Sequence, residues 1–208
     1  MYRWQIFQAQ AITPTIVILL GGLGILLAGV GLLGTVLGVR ATAAEFGNLE
    51  IGLIMAGYYA GYIVGTLIVP RLIRNVGHVR CFAAFAAVSA AASLGFGLLV
   101  NPVVWLILRI LSGVCVVGIY MVVESWLNEQ SAGPGRGRIF SVYMMSTLIA
   151  LGGGQFLLLA GDSSELTLFA LVAILGLVYL AAAPTPAQRD YYQAVGLDAA
   201  RYALVVDR

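Results

Sequence analysis

The sequence predicts an all-α integral membrane protein, built as a bundle of six transmembrane helices. Hydrophobic residues make up 61% of the 208 residues and charged residues only 10%, whereas soluble domains carry roughly 25% charge. The mean hydropathy is +0.99. So few charges cannot cover a water-facing surface, and the chain therefore belongs in a lipid bilayer.

Six apolar runs approach or exceed the length of about 20 residues that a membrane-spanning helix needs. They predict helices at Ile16–Val39, Leu49–Val69, Cys81–Val100, Val103–Val123, Ile139–Ala160 and Leu166–Ala183. The first run is longer than a signal-peptide core, so we expect it to remain as a helix. Residues 1–183 thus form the predicted bundle, and residues 184–208 a cytoplasmic tail that begins at two prolines.

The distribution of arginine predicts the orientation of the bundle, since every basic residue other than His78 is an arginine. Among the loops and the N-terminal segment, one side of the membrane carries Arg40 alone, and the other side carries six: Arg3, Arg71, Arg74, Arg80, Arg136 and Arg138. Cytoplasmic loops hold the excess of positive charge. Both termini are therefore predicted to be cytoplasmic.

Glycines lie where helices are expected to pack, and those of helix 2 recur every four residues. Gly57, Gly61 and Gly65 form a smooth stripe on helix 2, and helix 4 carries Gly113 and Gly118. No hydrophobic force joins helices within lipid, so close backbone approach across small residues holds them together. We expect these glycines at helix contacts in a compact bundle.

Arg109 is the first candidate functional residue, because it lies inside the apolar run of helix 4. A charge at membrane depth costs at least ~2.5–3.5 kcal/mol. In a functional role, the side chain faces the bundle interior or a water-filled cavity. In a purely structural role, it reaches the outer interface of the membrane. Arg109, Gly113, Tyr120 and Glu124 fall near one helical face.

Glu124 lies about 22 Å from Arg109 along the helix axis, so these two charges cannot pair. Two roles remain open for Glu124, a structural bond to the loop between helices 2 and 3 or the carriage of a proton. Tyr58 and Tyr62 on helix 2 and Gln155 on helix 5 are further candidates to line a substrate path. Such groups also serve as ordinary interhelical hydrogen bonds.

No pattern of catalytic or metal-binding residues appears in the sequence. The single histidine, His78, is predicted to be an exposed loop residue without partners at metal-ligand spacing, and Cys81 and Cys115 are read as buried apolar groups. We therefore expect no enzyme activity, cofactor or metal. The scattered arginines form no clustered basic stripe, which argues against nucleic-acid binding.

Two motifs resemble the N-terminal half of a major facilitator superfamily transporter, over about Ile16–Ala183. Arg109-Ile-Leu-Ser-Gly113, followed by Gly118, is similar to the helix-4 motif of that family. The segment from Gly65 to Arg80 stands where the family has its loop between helices 2 and 3, and carries Arg71, Arg74 and Gly77. The resemblance implies a bacterial inner-membrane protein that acts in small-molecule transport.

The sequence also departs from the family pattern. Arg74 stands where the loop motif usually has an aspartate, and the six helices of a second half are missing. In the family, two six-helix halves enclose the substrate path. Three solutions are open: a second copy supplies the other half, the bundle docks on another membrane complex as a non-transporting accessory subunit, or the chain is a truncation product.

Overall fold

The computed structural model describes residues 14–130, 136–161 and 166–182, and all regular structure in these ranges is helical. The prediction of an all-α bundle of six helices is confirmed. Its helices are α1 (Pro14–Ala43), α2 (Asn48–Val76), α3 (His78–Leu98), α4 (Pro102–Gln130), α5 (Arg136–Gln155) and α6 (Leu166–Ala182). Arg3 and the predicted tail, residues 184–208, lie outside the described ranges.

The first five helices are long and apolar enough to cross a membrane. The sixth has 17 described residues, which gives roughly 26 Å at about 1.5 Å per residue. This is slightly less than the hydrocarbon thickness of ~30 Å. Five helices therefore meet the length requirement in the described chain, whereas the sequence predicted six.

Several helices extend beyond the apolar runs that predicted them. The first ends at Ala43 instead of Val39, and the fourth at Gln130 instead of Val123. The fifth begins three residues early, at Arg136, and its last predicted turns form a short 3-10 helix, Phe156–Ala160. Hydropathy marks where lipid contact ends, whereas a helix continues into water until a residue stops it.

The predicted loop between helices 2 and 3 is reduced to a single residue, Gly77. Helix α2 continues through Pro70 to Val76, and α3 begins at His78. Gly77 has φ 92° and donates its N–H to the carbonyl of Ile73 at 2.9 Å. Only glycine adopts this conformation without steric cost, so it ends α2 sharply and turns the chain directly into α3.

A short turn, Leu99–Asn101, joins α3 to α4. The Asn101 side chain accepts hydrogen bonds from the N–H groups of Val103 at 3.0 Å and Val104 at 3.2 Å. Pro102 follows as the first helical residue, where its missing N–H costs nothing. The Trp105 indole, fully buried, donates to the carbonyl of Leu99 at 2.8 Å and ties the turn to the core.

The helices form a connected series of contacts in which α2 packs on α4, α4 on α3, α3 on α6, α6 on α1, and α1 on α5. Helices α1 and α4 are the most enclosed, with 50% and 56% of their membrane-length windows buried. The corresponding values are only 22% for α2 and 17% for α5. Helices α2 and α5 are therefore the two ends of the series, each covered mainly on one side.

Helices α2 and α4 touch through their backbones. A Cβ atom added at Gly61 would overlap the Ile110 carbonyl, and one added at Gly113 would overlap the Tyr58 carbonyl. Gly57 and Gly65 face the same helix, and Gly118 faces the ring of Phe85 on α3. This is the close approach that small residues permit inside a membrane.

Candidate functional site

Arg109 lies in the interior of the bundle, and its side chain is only 8% exposed. The guanidinium stands over the ring of Tyr58, with 5.1 Å from Cζ to the ring centroid. One terminal nitrogen donates to the sulfur of Met55 at 3.6 Å. Its Nε has no hydrogen-bond partner among the described residues, so the charge is held by an aromatic face and a thioether instead of a counter-ion.

A cavity of about 20 Å³ adjoins Arg109, which is room for about one water molecule. Its wall includes Ser89 and Ser93 of α3 and Ser112 of α4. Ser93 donates to the carbonyl of Ser89 at 2.9 Å, and Ser112 to that of Leu108 at 2.7 Å. Because each hydroxyl donates its hydrogen within its own helix, its oxygen remains able to accept another hydrogen bond. These two acceptors lie in the cavity wall with Arg109, whose Nε has no partner among the described residues.

Tyr58 begins a series of tyrosines on α2 and α4. Its ring centroid lies 5.4 Å from that of Tyr59 and 6.3 Å from that of Tyr62. Tyr120 of α4 lies within electrostatic range of Tyr58 and Tyr62. The series leads from the buried Arg109 towards Glu124, at the opposite end of the same face of α4.

Glu124 is exposed in the bundle and accepts a hydrogen bond from Tyr143 of α5, with 2.9 Å between the hydroxyl and Oε1. Tyr143 itself is 1% exposed. Tyr62 of α2 and Tyr120 of α4 lie within electrostatic range of the carboxylate. Tyr143 is therefore the direct partner of this acidic group, and Tyr62 and Tyr120 interact with it only through electrostatics.

Of the two roles left open for Glu124, the bond to the α2–α3 connection is absent among the described residues, and its hydrogen bond comes from α5. The neighbouring Ser125 makes the contact with that connection instead, through a 3.2 Å hydrogen bond to Nε2 of His78. His78 is half-buried at the start of α3, which corrects its prediction as an exposed loop residue. Successive residues of α4 thus bind two different helices.

The structure does not bring Gln155 to this cluster. It is exposed at the last residue of α5, 12 residues beyond Tyr143, or about 18 Å along the helix axis. Arg109 and Glu124 likewise remain separate on one continuous helix. Sequence reasoning did not assign Met55 or Tyr143 to these charges, since neither residue carries a motif that names its partner across the helix interface.

The arginines of the predicted loop motif lie on helices. Arg71 and Arg74 are exposed on the last turns of α2, and Arg80 is exposed on the first turn of α3. Arg71 donates to the carbonyl of Leu67, in its own helix, at 2.9 Å. Gly65, at the start of the motif, packs against Val114 and Val117 of α4.

Comparison with known proteins assigns the family. A model of the Major Facilitator Superfamily matches residues 18–194. The chain is similar to the uncharacterized MFS-type transporter YcaD of Escherichia fergusonii, with 32% identity over 154 residues, and to that of Escherichia coli, with 30% identity over the same length. These alignments cover 74% of this chain and 40% of each relative.

No solved structure matches the chain. The chain spans about 40% of the length of the curated relatives it matches. The match of the family model to most of its residues, together with the helical bundle, identifies it as a multi-pass membrane protein. The chain belongs to the major facilitator superfamily.

Proposed function

We propose that this chain forms one half of a small-molecule transport path across the inner membrane, and that a second copy of it supplies the other half. The observation that carries the proposal is the position of Glu124. It is an exposed carboxylate in a membrane-length helix, and it accepts a hydrogen bond from Tyr143 of α5. A carboxylate facing lipid is costly, whereas one that lines a water-filled path is not.

Helices α2 and α5 provide the surfaces for a second bundle. They are the least buried membrane-length helices, and large apolar side chains are exposed on both. On α2 these include Ile63, which is 64% exposed, and on α5 Ile149, which is 70% exposed. A partner that packs on both helices closes the space in front of Glu124 into a cavity.

The symmetry of the family permits a second copy in that place. The two halves of a major facilitator transporter are parallel repeats about an axis normal to the membrane. Two copies of one bundle inserted in the same orientation reproduce this arrangement with a true twofold axis. The twofold sets α2 of one copy opposite α5 of its partner.

The candidate residues take distinct places in this proposal. The path is lined by Tyr58, Tyr62, Tyr120 and Glu124. Arg109 lies behind Tyr58, at the end of the path opposite Glu124. Gln155 lies at the far end of α5 from Tyr143, near the mouth of the path. No catalytic role is assigned to any of them.

The orientation is likewise part of the proposal. We place both termini and the basic ends of α2 and α3 in the cytoplasm, because the arginine excess lies on that side. Residues 1–183 then form the membrane bundle and residues 184–208 the cytoplasmic tail. A non-transporting accessory role has no observation in its favour.

The test begins with the mass of the particle that mild detergent extracts from the native membrane. The proposal expects two copies of the chain and uptake of solute by proteoliposomes that contain them. A particle made of one copy, or one in which the chain accompanies unrelated subunits at fixed ratio, contradicts the homodimer.

Cysteine cross-linking tests the geometry of the dimer. We expect an Ile63→Cys copy to cross-link to an Ile149→Cys copy, since the twofold brings α2 and α5 together. Ile174→Cys on α6 is the matched control, because its side chain is 54% exposed but lies on a helix outside the proposed interface. The native Cys81 and Cys115 are buried and give little background. Equal cross-linking through Ile174→Cys would contradict this arrangement.

A further inference from the structure

We propose that the cavity beside Arg109 binds one small monovalent anion, such as chloride, as the counter-ion of the guanidinium. The cavity lies inside a single bundle, and residues of α1, α2, α3, α4 and α6 form its wall. Glu124 is remote from it, roughly 22 Å further along α4 than Arg109. The inference rests on a buried cation beside a polar cavity, with no acidic partner in the described chain.

The guanidinium of Arg109 retains unused hydrogen-bond donors. A guanidinium carries several N–H groups and no acceptor, and this one makes a single hydrogen bond, to the sulfur of Met55 at 3.6 Å. A thioether is a weak acceptor, and Nε has no partner among the described residues. The Tyr58 ring attracts the cation through its face but carries no net charge. The chain therefore leaves this cation without an opposite charge.

Burial makes such an unpaired charge costly. Arg109 is one of the few buried charged or polar side chains of the described bundle, and an arginine at membrane depth is unfavourable unless it finds a partner. Buried charges are as a rule paired with an opposite charge. No aspartate or glutamate belongs to the described wall of the cavity. A bound anion supplies the charge that the wall does not offer.

Three serines supply further contacts for an anion. Ser89, Ser93 and Ser112 lie in the cavity wall, and the hydroxyl of Ser89 makes no hydrogen bond within the described chain. The hydroxyls of Ser93 and Ser112 donate to carbonyls four residues earlier, which also accept N–H bonds within their own helices. Because a hydroxyl hydrogen rotates to suit its surroundings, each of the three can turn towards an anion.

The size of the cavity restricts which anion it can hold. A volume of about 20 Å³ accepts roughly one water-sized particle, which admits a halide and excludes sulfate, phosphate and organic anions. A water molecule fits the same space, but it leaves the charge of Arg109 without a counter-ion. The charge of the site thus favours chloride or bromide over water.

Chlorine NMR measures the binding directly. The purified full chain, in the oligomeric form that mild detergent extracts, is titrated with sodium chloride in gluconate buffer of constant ionic strength. We expect saturable broadening of the chloride resonance, which bromide reverses at least about tenfold more effectively than sulfate. The absence of saturable broadening would show that the cavity holds water only and would overturn the proposal. Equal competition by sulfate would overturn it as well.

Substitution of arginines locates the anion. Arg109→Gln removes the charge and keeps N–H donors, and it should weaken chloride binding about tenfold or more. Arg71→Gln is the matched control, because Arg71 is exposed on the last turns of α2. This control should bind chloride as the native chain does. Equal affinities of the two variants would remove Arg109 from the site.

A pair of serines tests the site without changing Arg109. Ser93 and Ser141 each donate to the carbonyl four residues earlier at 2.9 Å, but Ser141 is exposed on α5 and is not part of the cavity wall. Ser93→Ala should weaken chloride binding about threefold, and Ser141→Ala should leave it unchanged. Equal affinities of these two variants would contradict the site, whether or not Arg109→Gln folds.

The stability of the bundle gives a second measurement, because a ligand that binds only the folded chain stabilises it. Replacing gluconate with chloride should raise the SDS fraction at which the native chain unfolds in mixed micelles, and should not shift that of Arg109→Gln. Without chloride, the two should unfold at similar SDS fractions. An equal chloride effect on both would overturn the proposal. None of these measurements requires solute uptake or a second copy, so their outcome is independent of the function proposed above.

Discussion

Replacing Gly61 with alanine tests whether backbone contact between α2 and α4 holds the bundle together. A Cβ atom at this position would overlap the carbonyl oxygen of Ile110, in the backbone of the neighbouring helix. A backbone carbonyl cannot rotate away as the end of a flexible side chain does, so the two helices must separate. Gly113 faces the Tyr58 carbonyl in the same contact, and the separation therefore disturbs both sides of it.

The expected loss of stability follows from two opposing effects. Inserting a methyl group into a well-packed contact costs about 1–3 kcal/mol. The change from glycine to alanine within a helix returns up to ~1 kcal/mol through helix propensity. Gly52→Ala measures the second effect alone, because Gly52 lies on the same helix with no atom within 4 Å of an added Cβ. The two variants should therefore differ by about 2 kcal/mol.

Reversible unfolding in mixed micelles of mild detergent and SDS, followed by circular dichroism, measures this difference. We expect Gly52→Ala to unfold at the same SDS fraction as the native chain or a higher one, and Gly61→Ala at a lower one. Equal stability of the two variants would show that the helices do not approach as closely as the structure places them, and would refute the reasoning.

Three further substitutions have defined outcomes. Gly77→Ala should lower the free energy of unfolding by ~1–3 kcal/mol in the same assay, because φ is 92° at this residue. Arg109→Ala should abolish proteoliposome uptake. It should not lower the unfolding midpoint in chloride-free buffer, since the buried charge has no counter-ion in the described chain. A destabilised variant would indicate a structural role. Tyr143→Phe should cost ~0.6–1.7 kcal/mol, and the cost should vanish in a double-mutant cycle with Glu124→Ala.

The properties that follow from composition and helical periodicity were predictable. The apolar content requires a bilayer, and the six apolar runs give the helices, apart from their polar ends. The burial of Arg109 follows from the cost of a charge in lipid, which leaves only the bundle interior or the interface. The stripe of Gly57, Gly61 and Gly65 likewise predicts the face by which α2 meets a neighbour.

The partners of the polar groups were not predictable, and Glu124 illustrates why. Its place on α4 follows from the sequence, but its hydrogen bond depends on the rotation of α5, 19 residues later, which turns Tyr143 towards it. The contact between α1 and α5 was equally unpredictable. Gly31 faces the Leu151 carbonyl and Gly154 faces the Ala28 carbonyl, although neither glycine belongs to an evident stripe in the sequence.

The sequence by itself determined the solvent of this protein, its helical class and the family to which it belongs, because each depends on residue type and local spacing. Only the tertiary structure decided that Gly77 joins two helices directly, that Tyr58 covers Arg109, and that Tyr143 holds Glu124 between α2 and α5. The physical reason is that contacts between helices depend on their relative rotation and separation. These are set by the packing of the whole bundle and are not encoded in any one segment.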